Sequence, residues 1–310
     1  MLQELEQKIV DVVEKVLPCV VSVSTVVLKQ IDMFRVAPLQ GQGSGVIVDE
    51  KGIILTNAHV VRNAREVQIQ LHNGKKLEAQ VLGQLQGQDI AVLQVEADKE
   101  LKAITIGESD TLKVGQFAIA VGNPLGLGES VTFGLISALN RTINAQNTQL
   151  EGLIQTTADI NPGNSGGALI NTNGELVGIP TAVIQYSQGI GFAIAIDSIA
   201  GLLDEFHRTG KVTTPWLGVV GATIDKRMVG QYKLPVDKGA LIVDVPVGPA
   251  RKAGLKPGDI IVSFNNDDVT SIQGLTKVIT QHAVGDEVKV GVQRNKQKFD
   301  LVIKLGQSPR

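Results

Sequence analysis

Residues 153–170 read LIQTTADINPGNSGGALI. Apolar runs open and close the stretch, and between them Asn161, Pro162, Gly163, Asn164, Ser165, Gly166 and Gly167 follow one another without interruption. Taken alone, these seven residues make a surface turn, each for its own steric reason. A serine with two glycines directly behind it also suits a nucleophile carried on a sharply bent backbone. The rest of the chain decides between the two, because a serine nucleophile needs a base, an acid that orients the base, and donors for the oxyanion.

The chain has four histidines. His207 ends a helix-like run before a linker, His282 ends another helix-like run near the C-terminus, and His72 sits on a hairpin turn beside Asn73 and Gly74. His59 differs from them. It lies in TNAHVV, residues 56–61, directly after an apolar strand, with Ala58, Val60 and Val61 around it. Such a histidine is either a satisfied core residue or a base facing a cleft. Asp89 heads the strongly apolar strand DIAVL, residues 89–93, whereas Asp49, Asp98 and Asp110 stand in polar turns and Asp159 leads into the serine turn itself. These choices give a triad in the chain order His59, Asp89, Ser165. Gly163 permits the bend before the serine, so its N–H and that of Ser165 form the expected oxyanion hole. Gly166 and Gly167 are expected to clear room for the substrate backbone.

The surroundings suit that arrangement. The 310 residues include 34 glycines but only 3% aromatics, a balance that favours short strands and tight turns. Runs such as GVIVD, GIILTNAHVV, EVQIQLH and DIAVLQVE, followed by SVTFGLISAL, ALINTNGELVG and GIGFAIAI, form two successive sets of about six strands. The fold class expected is mainly β: two six-stranded antiparallel barrels with a cleft between them, which the triad would bridge. An amphipathic helix precedes them, with Leu2, Leu5, Ile9, Val12, Val13 and Val16 on one face and Pro18 at its end. Asp197 to Gly210 reads as a further helix, 211–214 as a linker, and 215–310 as a separate α+β unit. The expected boundaries are therefore 1–36 for the N-terminal helix and a possible oligomerisation segment, 37–210 for the barrels, and 215–310 for the last unit.

Several function classes are disfavoured. A net charge of −2 without basic clusters gives no case for nucleic acid. The single cysteine, Cys19, removes intrachain disulfides and Cys-based zinc sites, and reads as a buried hydrophobe. No cofactor and no metal are expected. GQGSGV, residues 41–46, misses the phosphate-loop template, so ATP-driven action is not supported. No apolar stretch reaches membrane-spanning length, and the N-terminus lacks the apolar core of a signal peptide.

TNAHVV, DIAVL and GNSGGAL, in that order, resemble the chymotrypsin-fold proteases of the HtrA/Deg family, and GSGVIVDEKGIILTNAHVV, AVGNPLGLGESVTFGLISAL and GIGFAIAID match that family's strands. The similarity spans residues 8–306. The resemblance implies an ATP-independent serine endopeptidase that degrades unfolded or damaged proteins. A non-enzymatic chaperone of the same fold is the rival reading, and an ordered triad argues against it.

Further implications follow from the family. Asn164 stands where digestive relatives place the aspartate that captures a new N-terminus, so control is expected from loops at Pro124–Gly126, Ile160–Gly163 and Thr181–Gly189. Ile190, Gly191, Phe192, Ala193 and Ile194 would line the primary pocket and accept small or medium aliphatic side chains. Thr157 and Ala168 depart from residues common in the family, which bears on loop behaviour.

PWLGVVG and GALIVDVPVGPARKAGLKPGDIIVSFNN resemble a PDZ domain. Trp216, Leu217, Gly218 and Val219 would hold a peptide carboxylate, with the peptide lying beside residues 219–222 and against Leu275 and Ile279. Implied partners are unfolded proteins, peptide C-termini and copies of the same chain in a trimer or a multiple of trimers. The N-terminal helix either builds that assembly or packs on its own barrel. The resemblance suggests an extracytoplasmic location; cytoplasmic residence stays open, and membrane association would require an anchor upstream.

Overall fold

A computed structural model describes residues 2–30, 36–85, 87–97, 99, 101–123, 128–145, 148–161, 163–183, 189–200, 202–203, 206, 215–280 and 282–307. The chain divides into two compact units, Met1–Val212 and Thr213–Arg310.

The first unit opens with helix α1 (Leu2–Val16). Strands β1 (Val20–Gln30), β2 (Val36–Asp49), β3 (Ile53–Asn57), β4 (Glu66–Gln70), β5 (Lys76–Leu85) and β6 (Ile90–Val95) close into a barrel in the order β1-β2-β3-β6-β5-β4. The boundary expected at residue 36 is thereby corrected: β1 is a full barrel strand, paired along its length with β2, so the barrel begins at Val20. Alternation explains why these sequences form strands. In β4, Val67 and Ile69 are buried while Glu66 and Gln68 face solvent. In β6 both faces are covered: Ala91, Leu93 and Val95 join one apolar cluster, Ile90 and Val92 another.

The second set comprises β7 (Thr105–Ile106), β8 (Phe117–Gly122), β9 (Ser130–Ala145), β10 (Thr148–Thr156), β11 (Ala168–Ile170), β12 (Glu175–Val183) and β13 (Gly191–Ala195). Their order is β11-β8-β9-β10-β13-β12-β7, and a further β11–β12 pairing closes six of them into a ring. Ile119, Val121, Leu153, Ile170, Phe192 and Ile194 meet Val20, Val46, Leu55, Ile90 and Val92 in one apolar cluster, which binds the two barrels together. Helix α1 settles on the same cluster through Ile9, Val12, Val13 and Val16, so it packs on its own unit. Cys19 is buried there as well, and desolvation raises its thiol pKa above the ordinary value.

Of the helix expected over 197–210, Ile196–Ile199 form a 3-10 turn and Ala200, Leu202, Leu203 and Phe206 are helical. The rest of that stretch, with His207, lies outside the described residues, as do the expected linker 211–214, the loop at Pro124–Gly126 and residues 184–188.

In the second unit, β14 (Pro215–Trp216) pairs β21 (Gly306–Gln307). A larger sheet runs β15 (Val220–Thr223), β16 (Ala240–Asp244), β17 (Ile260–Phe264), β19 (Glu287–Arg294), β20 (Gln297–Lys304), with β18 (Asp267–Asp268) on β17. Helices α3 (Lys226–Tyr232), α4 (Pro249–Lys252) and α5 (Ile272–Thr280) accompany it. Arg294 forks onto the buried Asp259 at 2.6 and 2.8 Å and caps Gly254 O, fixing the α4–β17 corner to β19.

Candidate active site

His59 enters the site because β3 ends in a short helix, α2 (Ala58–Val61), whose Ala58, Val60 and Val61 are buried. Anchoring three apolar side chains leaves the histidine on the open face of the turn. Its Nδ1 lies 2.7 Å from Asp89 Oδ2, and its backbone N–H donates to Asp89 Oδ1 at 2.9 Å. The His59 side chain is 41% exposed and that of Asp89 11%, the combination wanted for a base that meets substrate and an acid that does not. In the tautomer with its proton on Nδ1, the ring donates to Asp89 Oδ2 and leaves the lone pair of Nε2 free.

Asp89 is itself closely held. Its backbone adopts φ +56°, an unusual conformation for any residue but glycine and one that aspartate tolerates better than most. The carbonyl of Asp89 accepts from Ala58 N at 3.0 Å and from Asn57 Nδ2 at 3.1 Å. Its Oδ2 accepts a third side-chain bond, from Thr181 Oγ1 at 2.5 Å.

Ser165 arrives from the second barrel, on the turn between β10 and β11. Gly163 has φ +120° and Gly166 φ +83°, values open to glycine and costly to other residues. The turn is stapled from within by Asn164, which is buried, accepts from Asn161 N through Oδ1 at 3.0 Å and donates from Nδ2 to Asp159 O at 2.9 Å. Ser165 Oγ points to Thr181 O, at a long 3.5 Å. Among the described residues it makes no hydrogen bond to His59. The structure thus brings His59 and Asp89 into contact and leaves the Ser165 hydroxyl on Thr181 O, and catalytic hydrogen bonds are often unformed before substrate binds.

Two expectations change. The room expected at Gly166 and Gly167 is taken by the protein itself: a Cβ at Gly166 would collide with Ser44 O and Thr56 Oγ1, and one at Gly167 with Val121 O. These glycines let the turn press against β2, β3 and β8. The pocket assignment changes for a period-two reason. Phe192 and Ile194 point into the apolar cluster between the barrels and Ile190 packs against it, whereas Ala193 joins Ala158 and Ile160 on the other face. Gly191 lies against Ile160, so the side chain nearest that strand face comes from the serine turn, not from β13. In the second unit, Leu275 and Ile279 pack with Ala240, Ile242 and Leu217 in the apolar cluster, and Ile272 of the same helix lies over Gly221 of β15.

The remaining expected positions in that unit form one loop. Leu217 is buried and its carbonyl accepts from Ala250 N at 2.8 Å; Gly218 has φ +85°. The Trp216 indole lies over Gly248, where no side chain would fit. Val219 leads into β15, an edge strand of the large sheet.

Two residues of the site escaped the sequence reading. Thr181 donates to Asp89 and accepts from Ser165, touching both halves; nothing in the local sequence IPTAV distinguishes it. Ser44 bonds the serine turn from β2, and its signal was present in GQGSGV, since glycines inside a strand mark close backbone approach.

A family model for a trypsin-like peptidase domain matches residues 43–179, and one for a PDZ domain matches residues 221–305. The solved structure of the HtrA-type protease AlgW with a decapeptide is 32% identical, covers 97% of this chain and 99% of its own, and superposes with a TM-score of 0.69. The chain belongs to the HtrA-type serine proteases. Among curated members of this family, the periplasmic serine endoprotease DegP of Escherichia coli (strain K12) is 41% identical over 272 residues, which cover 86% of this chain and 57% of DegP. The periplasmic pH-dependent serine endoprotease DegQ of the same organism is 41% identical over 277 residues, covering 87% and 60%. The chain therefore spans less than two thirds of the length of these two HtrA relatives.

Proposed function

We propose that this HtrA-type chain is an ATP-independent serine endopeptidase that cleaves unfolded or damaged proteins through a Ser165–His59–Asp89 acyl-enzyme mechanism. The observation that carries the proposal is the 2.7 Å contact of His59 Nδ1 with the largely buried Asp89, together with a serine on a positive-φ glycine turn beside it. When substrate binds, Ser165 Oγ rotates from Thr181 O to His59 Nε2. It attacks the scissile carbonyl as Nε2 takes its proton, and Asp89 stabilises the imidazolium formed. The Gly163 and Ser165 amides receive the oxyanion. Nε2 then gives the proton to the leaving amine, and a water activated by the same nitrogen releases the acyl group.

The PDZ unit binds peptide C-termini, with the carboxylate on the amides of Leu217, Gly218 and Val219 and the peptide strand added at the edge of β15. Residues 37–210 with the β1 strand form the protease domain and 215–310 the PDZ domain. The chain acts outside the cytoplasm, as relatives named periplasmic suggest, and assembles with copies of itself in threes or multiples of three. Casein degradation without nucleotide tests the reading. Wild-type protein is expected to degrade it and Ser165→Ala to be inert; equal rates would remove Ser165 from the mechanism.

A further inference from the structure

The serine turn of the second barrel is gripped by one residue of the first. Ser44 lies in β2 and is fully buried. Its hydroxyl donates to Gly163 O at 2.5 Å and accepts the Asn123 N–H at 2.8 Å. Its own N–H donates to Ser165 O at 2.9 Å, and its carbonyl accepts from Thr56 Oγ1 at 2.7 Å. Ser44 therefore holds the carbonyls of Gly163 and Ser165, the two residues whose amides are assigned to the oxyanion. The peptide plane between Gly163 and Asn164 is fixed at both ends: Ser44 Oγ holds its oxygen, and its N–H donates to Asn161 O at 3.1 Å.

That grip matters because glycine at φ +120° has other conformations open at little cost. We propose that Ser44 is a positioning residue for the oxyanion hole, its hydroxyl holding the Gly163 carbonyl so that the Gly163 and Ser165 amides stay aimed at one point. The inference rests on the protease reading. Deleting the hydroxyl would strand the buried Asn123 N–H and the part-buried Gly163 O, and such orphaned groups drive a turn to rearrange. A hydroxyl that only filled space would leave the amides where they are.

The two cases separate in kinetics. With a fluorogenic peptide, Ser44→Ala is expected to lower kcat about 10- to 100-fold with KM within about twofold, less than the roughly 10²–10³ lost when an oxyanion donor is removed outright. The affinity of a peptide boronate, which forms a tetrahedral adduct on Ser165, should weaken by the same factor, while binding of the corresponding product peptide stays unchanged. Ser44→Cys is the closest replacement in shape, though somewhat larger, and donates only weakly; it is expected to move kcat and boronate affinity in the same direction if the alanine variant fails to fold. Folded variants with wild-type kcat, or with a change in KM alone, would overturn the role of Ser44. A wild type that neither cleaves the peptide nor reacts with a fluorophosphonate would overturn the protease reading, and this inference with it.

Discussion

The acid–base half of the site and its nucleophile half are built in opposite ways. His59 and Asp89 sit at the ends of neighbouring barrel strands, β3 and β6, which are paired from Ile53 to Asn57. Five hydrogen bonds converge on Asp89, from His59 Nδ1, His59 N, Thr181 Oγ1, Ala58 N and Asn57 Nδ2. Ser165 instead hangs on a glycine-rich turn whose hydroxyl contact is a single 3.5 Å bond. Regular structure holds the His59–Asp89 pair, whereas the Ser165 turn rests on Ser44 and Thr56 across the barrel boundary.

Ser165→Ala is expected to lower kcat by about 10⁶-fold while the melting temperature stays near that of the wild type, because the turn is held by backbone bonds and not by the hydroxyl. Thermal unfolding beside an activity assay checks both halves of that statement. Asp89→Asn should lower kcat by about 10⁴-fold through the wrong imidazole tautomer. It should also reduce stability, since Thr181 and two His59 groups lose a charged acceptor. If Asp89→Asn proved as stable as wild type, the contrast between a tightly bonded Asp89 carboxylate and a weakly bonded Ser165 hydroxyl would fail.

Gly166→Ala tests the other side. A non-glycine residue in the left-handed region costs about 1–2 kcal/mol, and the collision with Ser44 O and Thr56 Oγ1 adds to it. Loss of activity with the His59–Asp89 proton resonance preserved in NMR would sharpen the contrast; loss of both would blur it. The smallest effect is expected for Thr181→Val, which removes one donor from the carboxylate. A bond to a charged group contributes about 1.5–3 kcal/mol, so about a tenfold drop in kcat with a modest fall in melting temperature is anticipated.

How legible each feature was follows from the range of the interaction behind it. His59, Asp89 and Ser165 could be picked out because each stands at the junction of an apolar run with a turn, a local pattern. The strands were visible from alternation and turn residues. By contrast, which face of GFAIA meets the serine turn depends on the register of β13 against β10 and β12, and that register sent Phe192 and Ile194 to the core. For Leu275 and Ile279 helical spacing marks the apolar face of the helix, and the structure places that face on the core cluster.

The sequence by itself determined the two sets of strands, the order of the candidate triad and the glycines that bend the chain before and after Ser165. These are local consequences of side-chain shape and backbone freedom. Only the tertiary structure decided that Thr181 serves Asp89, that Ser44 holds the Gly163 carbonyl, and that Gly166 and Gly167 make way for the protein and not for substrate. Those contacts join residues up to 119 positions apart, and a hydrogen bond over such a separation is set by how two barrels pack, which no local pattern encodes.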